Sequence, residues 1–194
     1  MADMATKDPI KLLSEGNKRF VEGKSIHPNQ DSARRTAISS GQKPFAIIIG
    51  CSDSRVPPEI LFDQGIGDLF IIRVAGNIVD DVALGSIEYA VDHLGTELVV
   101  VLGHSKCGAV TATVKGGEAH GHIGSIASII MPAVEKAKGQ HGDIVENAIR
   151  NNMEITVEKI KSSEPIMTKA VKEGRVKVIG AYYDIESGVV EFGS

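Results

Sequence analysis

Residues 45–50 read Phe-Ala-Ile-Ile-Ile-Gly, an unbroken apolar run that ends directly at a cysteine, Cys51. A second run at 98–103 reads Leu-Val-Val-Val-Leu-Gly and ends directly at a histidine, His104. Unbroken apolar runs of this length are typical of strands in a parallel sheet that is covered on both faces. The two runs therefore predict an α/β fold in which two strands each end at a residue that can bind a metal.

The remaining periodicity completes this fold class: a mainly parallel central sheet flanked by helices, with an antiparallel C-terminal strand and an N-terminal helical arm. Further strands are expected at 69–73 and 176–182. Helices are expected at 81–94, 106–115, 124–138, 142–161 and 164–173, with a short one starting at 57–58, where proline suits the first turn. A last strand at 188–192 follows a link too short for a crossover, so we expect it to pair antiparallel with its predecessor.

The chain has 194 residues, and this length predicts one domain that spans 1–194. Within that domain we expect 1–41 to form the N-terminal helical arm and 42–194 to form the α/β core. Helical periodicity is clear at 9–21, where the apolar residues fall largely on one face. This face needs a surface to cover, which weakly favours an oligomer.

Composition argues against several classes of function. A net charge of −4 and the absence of a basic patch disfavour nucleic-acid binding. No stretch approaches the roughly 20 apolar residues that span a bilayer, and the N-terminus has no apolar signal core. Two cysteines do not make a disulfide framework. We therefore expect a cytoplasmic protein with no nucleic-acid or membrane partner.

The two cysteines and one histidine predict a metal site. The carboxyl ends of parallel strands meet at one edge of a sheet, so Cys51 and His104 are expected to converge there. Cys107 lies three residues after His104 at the turn into a helix, where positions i and i+3 share a face. Two thiolates and one imidazole favour zinc. Three protein ligands leave the fourth position open, which is the catalytic arrangement.

Asp53 and Arg55 lie in the loop that follows Cys51. The carboxylate of Asp53 can take the fourth position on the metal or hydrogen-bond to whatever occupies it, and Arg55 can hold that carboxylate by a bidentate pair. The alternative is an Asx turn capped by a nearby arginine, a common loop structure. Composition and spacing leave both interpretations open.

Four motifs closely resemble those of the β-class carbonic anhydrases and occur in that family's order and spacing. They are 51–59 (Cys-Ser-Asp-Ser-Arg-Val-Pro-Pro-Glu), 73–77 (Arg-Val-Ala-Gly-Asn), 87–91 (Ile-Glu-Tyr-Ala-Val) and 103–108 (Gly-His-Ser-Lys-Cys-Gly). The resemblance is specific over about 42–110 and looser from there to the C-terminus. The position three residues before the first cysteine is Ile48, where the subgroup that traps a non-catalytic bicarbonate usually carries tryptophan. The resemblance therefore favours the plant-type subgroup.

The resemblance implies roles for individual residues. The zinc ligands are Cys51, His104 and Cys107, which hold one ion per chain. Asp53 and Arg55 are the catalytic dyad: Arg55 draws Asp53 away in an open form, and Asp53 becomes the fourth metal ligand in a closed form. The positions implied to bind substrate are Gln42, Val79, Tyr89 and the backbone N–H of Gly108. The pocket is expected to lie at a dimer interface, in a homodimer or homotetramer.

The implied function is the zinc-dependent, reversible hydration of CO2 to bicarbonate and a proton by attack of zinc-bound hydroxide. Two alternatives keep the same ligands. A carbon disulfide or carbonyl sulfide hydrolase on the same scaffold would differ in access to the site. A non-catalytic zinc protein would keep Asp53 permanently on the metal.

Overall fold

The computed structural model describes residues 8–193, so the predictions made for 1–7 and for 194 lie outside the described residues. The helices are α1 (Pro9–Val21), α2 (Ser32–Ala37), α3 (Pro58–Leu61), α4 (Asp81–Asp92), α5 (Gly108–Lys115), α6 (Ile123–Ala137), α7 (Ile144–Lys161) and α8 (Ile166–Lys172). The strands are β1 (Ala46–Gly50), β2 (Leu69–Arg73), β3 (Leu98–His104), β4 (Lys177–Tyr183) and β5 (Val190–Phe192). A 3₁₀ turn at Ala75–Asn77 follows β2.

The five strands form one sheet in the order β2-β1-β3-β4-β5. The first three pairings are parallel, and β4 pairs with β5 antiparallel. This confirms the predicted fold class. In the register of β1, Gly50 lies beside Leu102 of β3 and beside Arg73 of β2. The residues that follow these positions therefore emerge together at one edge of the sheet.

Alternate side chains of each strand point to opposite faces of the sheet, and each face has its own hydrophobic core. Ile47 and Ile49 of β1 pack in the core that α4, α7 and α8 cover. Ala46 and Ile48 pack in the core that α1 and α3 cover. These side chains are fully buried. Burying each isoleucine contributes about 1.5–3 kcal/mol, so the predicted double-sided burial of the central strands is also their main source of stability.

The first helix packs against its own chain. Asp8 caps α1 by accepting a hydrogen bond from Ile10 N at 3.0 Å, and Pro9 begins the first turn. Leu13 is fully buried in the same core as Ala46 and Ile48 of β1. The Asn17 side chain donates to the carbonyls of Leu61 and Gly188 at 3.2 and 2.9 Å. Part of the apolar face of this helix is therefore covered within one chain, while Val21 is 42% exposed, so the oligomer expected from this helix stays a prediction.

Two buried carboxylates join the segment after α1 to the loop between α3 and β2. Asp63 accepts a hydrogen bond from Arg19 Nε at 2.6 Å and from the backbone N–H groups of Ile26 and His27, each at 3.0 Å. Burial alone would raise the pKa of Asp63, but these three donors lower it below its ordinary value. This carboxylate therefore stays ionised and holds the N-terminal segment on the core.

Asp68 makes the second of these connections. It accepts hydrogen bonds from Asn29 Nδ2 at 2.8 and 2.9 Å and from Arg34 Nη2 at 3.0 Å. Its own backbone carbonyl accepts from Phe45 N at 2.9 Å, just before β1 begins. Asp68 therefore ties α2 and its preceding loop to the start of the central strand.

The observed elements differ from the predicted ones mainly at their ends. The helix expected at 106–115 begins at Gly108, and the last strand begins at Val190 rather than at Gly188. β2 lies at the edge of the sheet, so Leu69–Ile72 are only partly buried although their sequence is as apolar as that of β1. Within residues 8–193, no helix combines the length and the apolar character needed to cross a bilayer.

Candidate metal centre

Three side chains that the sequence singled out converge beyond the carboxyl ends of β1 and β3. Cys51 directly follows β1, His104 is the last residue of β3, and Cys107 precedes the first residue of α5. One ligand atom from each lies within 4.8 Å of the other two. All three residues are buried, and neither cysteine forms a disulfide. This group can hold a metal ion.

The turn between His104 and Cys107 brings these two ligands together, and not the helical spacing that we expected. His104 has strand geometry, and Cys107 has extended backbone dihedrals at the start of α5. Between them, Lys106 has a φ of 57°, in the left-handed region that non-glycine residues seldom adopt. The argument from a shared helix face was therefore wrong, although the two residues do lie side by side.

His104 is oriented as a metal ligand. Its Nδ1 lies 2.9 Å from the carbonyl oxygen of Ser105, which can only accept, so Nδ1 carries the proton and donates. The lone pair then lies on Nε2. Within residues 8–193, Nε2 is buried and has no hydrogen-bond partner. A buried acceptor without a partner is costly, and a metal ion bound by Nε2 removes that cost.

The two thiols lie close enough to form a hydrogen-bonded pair. Hydrogen bonding with Cys107 lowers the pKa of Cys51 below its ordinary value. The same bond, together with burial, raises the pKa of Cys107 above its ordinary value. The pair as a whole therefore loses its first proton more readily, and its second less readily, than separate thiols would. A divalent cation would displace the second proton, because cysteine binds metal as the thiolate.

The 3₁₀ turn after β2 contributes a group that the sequence argument missed. The backbone N–H of Gly76 donates to Cys51 Sγ at 3.2 Å. Gly76 has a φ of 74°, and a Cβ there would lie 2.8 Å from Ile130 Cδ1, so the turn requires glycine. Ile78, just beyond the turn, packs with Cys51 and Cys107. The Arg-Val-Ala-Gly-Asn motif signalled this segment, but no role had been assigned to it.

Arg73 is a second group to which no role had been assigned. Its Nε donates to the carbonyl of Cys51 at 2.9 Å, and its Nη2 donates to the carbonyl of Asp53 at 2.6 Å. Arg73 is the last residue of β2, beside Gly50 in the register. Its guanidinium therefore fixes the backbone of the loop that carries the first cysteine.

Asp53 and Arg55 form a bidentate pair beside the three ligands. Arg55 Nε donates to Asp53 Oδ1 at 2.9 Å, and Arg55 Nη2 donates to Oδ2 at 2.8 Å. These bonds lower the pKa of Asp53 to about 2. Asp53 does not belong to the compact group of ligand atoms, and both its oxygens face Arg55. Arg55 Nη2 also donates to the carbonyl of Lys106 at 3.2 Å, which joins the loops after β1 and β3.

The four predicted substrate positions have different surroundings. Gln42 is exposed in the connection between α2 and β1. Tyr89 is half exposed on α4, with its ring 6.5 Å from that of Phe70 and 5.2 Å from that of His93. Gly108 is the first residue of α5, where a helix leaves its N–H without an intrahelical acceptor. Gln42 and Tyr89 are therefore accessible in the single chain, and Gly108 offers a backbone N–H that the helix does not use.

Val79 is the fourth of these positions, and it is buried. Its side chain packs in the hydrophobic core with Ile47 and Ile87, and its carbonyl accepts from Lys159 Nζ at 2.7 Å. Its neighbour Ile78 packs with the two cysteines instead. Of these two adjacent residues, Ile78 therefore lies beside the metal ligands, and a role for Val79 in substrate binding stays a prediction.

Comparisons with known proteins agree with this geometry. A family model described as "Carbonic anhydrase" matches residues 46–190. The carbonic anhydrase of Mycolicibacterium smegmatis is 37% identical over 198 residues, which cover 98% of this chain and 96% of that protein. The match includes the N-terminal segment as well as the sheet.

Two solved structures are similar over nearly the whole chain. The β-carbonic anhydrase of Coccomyxa, solved with acetazolamide, superposes with a TM-score of 0.77 at 30% identity, covering 96% of this chain and 86% of that one. A β-carbonic anhydrase of Sordaria macrospora, described as tetrameric, has a TM-score of 0.75 at 26% identity, covering 92% and 93%.

Proposed function

Because this chain belongs to the β-carbonic anhydrase family and is an enzyme that hydrates CO2 reversibly, we propose that Cys51, His104 and Cys107 hold one zinc ion per chain. One observation carries this proposal: three ligand atoms lie within 4.8 Å of one another, and the buried Nε2 of His104 has no other partner among residues 8–193. Sulfur and imidazole donors suit zinc better than magnesium or calcium. When bound, zinc supplies a Lewis acid that makes water a nucleophile near neutral pH.

We assign to Asp53 the role of a hydrogen-bond acceptor beside the metal. With a pKa of about 2 it is ionised at neutral pH, so it can accept but not donate. Arg55 fixes its carboxylate, and Arg73 fixes the backbone on which it stands. This arrangement lets Asp53 hold the attacking oxygen in one orientation towards CO2, and orientation of that kind accounts for much of enzymatic rate enhancement. It matches the open form that the family resemblance implies.

The substrate positions are part of the same proposal. The N–H of Gly108 at the N-terminus of α5 is suited to an anion, because the helix dipole is positive there. Gln42 and Tyr89 are accessible in the single chain and can complete the pocket from a partner chain. Val79 can act only through packing, since its side chain is buried. The plant-type subgroup and the cytoplasmic location stay predictions.

We further propose a homodimer formed across the β2 edge of the sheet, with two dimers joining into a tetramer. Leu69–Ile72 at this edge are only partly buried, and Phe70 lies against the half-exposed ring of Tyr89. An apolar edge strand of this kind invites pairing with another chain. The relative from Sordaria macrospora is described as tetrameric. Sedimentation at micromolar concentration tests the proposal, and a monomer would contradict it.

Stopped-flow CO2 hydration, measured together with the zinc content of the purified protein, tests the proposed function. We expect wild type to bind one zinc and to be active, and Asp53→Ala to bind zinc but lose about 10²-fold or more of its activity. A fully active Asp53→Ala variant would reduce Asp53 to a loop residue. A wild type that binds zinc without activity would instead support the non-catalytic alternative.

The other alternative is not favoured. The relatives that match over most of their length are named carbonic anhydrases, and none of the contacts described above points to carbon disulfide or carbonyl sulfide. Comparing turnover of CO2 with turnover of carbon disulfide on the same preparation separates the two activities.

A further inference from the structure

The 3₁₀ turn at Ala75–Asn77, which donates a hydrogen bond to Cys51, also accepts one from a side chain of α7. Asn152 Nδ2 donates to the carbonyl oxygen of Gly76 at 2.7 Å, across 76 positions of sequence. The N–H of the same glycine donates to Cys51 Sγ at 3.2 Å. Asn152 and Gly76 are both buried. A continuous path of hydrogen bonds therefore runs from α7 through one residue to the first metal ligand.

The turn depends on contacts of this kind for its conformation. Gly76 has a φ of 74°, and Asn77 has a φ of 45°, which is unfavourable for a residue with a side chain. Within the turn, Asn77 N donates to the carbonyl of Val74 at 2.9 Å. Strained backbone persists only where its surroundings hold it, and glycine has the largest freedom to rotate away. Fixing the Gly76 carbonyl limits that rotation.

The direction of the Gly76 N–H matters to the metal as well as to the fold. A hydrogen bond donated to a thiolate stabilises its negative charge, so the sulfur gives less electron density to a bound cation. Two thiolates donate more charge than neutral ligands do, which weakens zinc as a Lewis acid. The N–H on Cys51 offsets part of that effect. Groups outside the ligand shell commonly tune metals in this way.

We propose that Asn152 is a positioning residue that acts through Gly76: it holds the 75–77 turn so that the Gly76 N–H stays on Cys51 and moderates the charge that this thiolate donates to the metal. The inference rests on the proposed function, since it requires a metal on Cys51. Asn152 itself touches neither metal nor substrate.

The chain offers a matched control in the adjacent residue. Asn151 is also a buried asparagine of α7, and its Nδ2 also donates to a backbone carbonyl, that of Ala133 at 3.3 Å. Its other partner is the Gln140 side chain at 3.0 Å, between α6 and α7. Replacing either asparagine with leucine keeps a similar volume and removes the donor. The two changes therefore cost comparable packing, but only Asn152→Leu releases the turn.

The test uses the full chain loaded with zinc or with cobalt(II). In Asn152→Leu we expect the thiolate-to-cobalt charge-transfer band to move to longer wavelength, because a sulfur without its hydrogen bond is more easily oxidised. Zinc affinity, measured by competition with a chelator, should fall about 10- to 100-fold, as for other partners of ligand residues, because Cys51 is no longer oriented by the turn and its thiolate is harder to form without the hydrogen bond; these two losses outweigh the stronger donation of the bare sulfur. Asn151→Leu should leave both the band and the affinity unchanged.

An Asn152→Leu protein that is folded and has the wild-type band and the wild-type zinc affinity would overturn the inference. So would an equal shift in Asn151→Leu, because the effect would then be one of general packing. If Asn152→Leu does not fold, Asn152→Asp keeps the side-chain size without the amide donor. Its cobalt charge-transfer band and its zinc affinity are then measured instead. A wild type that binds no cobalt or zinc defeats the proposed function instead, so the two failures are distinguishable.

Discussion

Asp53 and Asp63 are both paired with an arginine through charge-assisted hydrogen bonds, but their surroundings differ. Arg55 is two positions from Asp53 and contacts it within one loop, whereas Arg19 is 44 positions from Asp63. The side chain of Asp53 is 15% exposed, and that of Asp63 is 1% exposed. Asp63 also accepts from two distant backbone N–H groups, while the donors to the Asp53 side chain within residues 8–193 all belong to Arg55.

The difference separates a carboxylate that can take part in chemistry from one that holds the fold. A carboxylate that a half-exposed arginine of the same loop holds can accept a further hydrogen bond without breaking long-range contacts. A buried carboxylate whose lone pairs are occupied by distant segments cannot, because losing one partner leaves an unpaired charge in the interior. Similar ion pairs therefore suit different roles, which we propose to be a reactive site at one loop and a structural junction at another.

The largest effect should come from removing a metal ligand. Cys107→Ser replaces a thiolate donor with a hydroxyl that stays protonated at neutral pH, so we expect the protein to lose zinc and its CO2 hydration to fall to the uncatalysed background. Metal content and stopped-flow rates check this. Thr113→Ser, a conservative change on the adjacent helix α5, is the control and should keep both. A zinc-replete, active Cys107→Ser protein would remove Cys107 from the site.

Asp53→Asn should show the behaviour of the reactive carboxylate. We expect activity to fall by about 10²- to 10⁴-fold, because the acceptor beside the metal is lost. The free energy of unfolding should fall by less than in Asp63→Asn, since the pair joins two residues of one loop and its arginine is half exposed. Stopped-flow rates and urea denaturation of one preparation measure the two quantities. A large loss of stability with little loss of activity would reverse the comparison.

Asp63→Asn should show the opposite pattern. Removing this charge leaves Arg19 unpaired and turns an amide towards the N–H groups of Ile26 and His27, which should cost about 3 kcal/mol, the lower end of the range for buried pairs. Urea denaturation measures the cost. Where the variant is folded, its zinc content and activity should match those of wild type. An equally stable variant would show that the junction contributes little.

The stability that Asp63 contributes should depend on pH with a definite sign. Because its pKa is lower in the folded chain, the contribution is complete above the unfolded pKa of about 3.9 and is lost as pH falls towards the folded value. The gap in unfolding free energy between wild type and Asp63→Asn should therefore be constant above about pH 5 and shrink below pH 4. A gap that does not change down to pH 3 would contradict the shift.

The smallest effect should come from an ion pair on the surface. Lys11 and Glu15 lie one helical turn apart on α1 with a separation of 3.9 Å, and both side chains are more than half exposed. Lys11→Ala should change the free energy of unfolding by less than about 0.5 kcal/mol. Urea denaturation would measure this difference. A loss as large as that of Asp63→Asn would mean that burial does not decide the strength of these pairs.

Much of the site could be predicted from local sequence, and the reason is topological. Cys51 and His104 each directly follow an apolar run, and parallel neighbouring strands bring such ends to one edge. Cys107 does lie beside His104, as predicted. The cause is a turn with Lys106 at positive φ, and not the shared helix face that we expected. No periodicity in the sequence predicts such a dihedral.

The contacts that were missed all cross long distances in sequence. Gly76 donates to a sulfur 25 positions away, and Asn152 donates to a carbonyl 76 positions away. The positions of Ile78 and Val79 show the same limit, because only the packing of the turn decides which of two adjacent apolar residues faces the metal ligands. For α1 likewise, only the tertiary structure shows that Leu13 packs in the core of the same chain while Val21 stays exposed.

The sequence by itself determined the order of strands and helices, the three residues able to bind zinc and the presence of an acidic group beside them, because periodicity, strand ends and side-chain chemistry are local properties. Only the tertiary structure decided which backbone N–H faces Cys51, which nitrogen of His104 is free, and which aspartates are buried in permanent junctions. The first and the last of these depend on segments tens of residues apart meeting within 3 Å or so, the range over which a hydrogen bond forms, and the second depends on the local turn that places the Ser105 carbonyl beside His104 Nδ1.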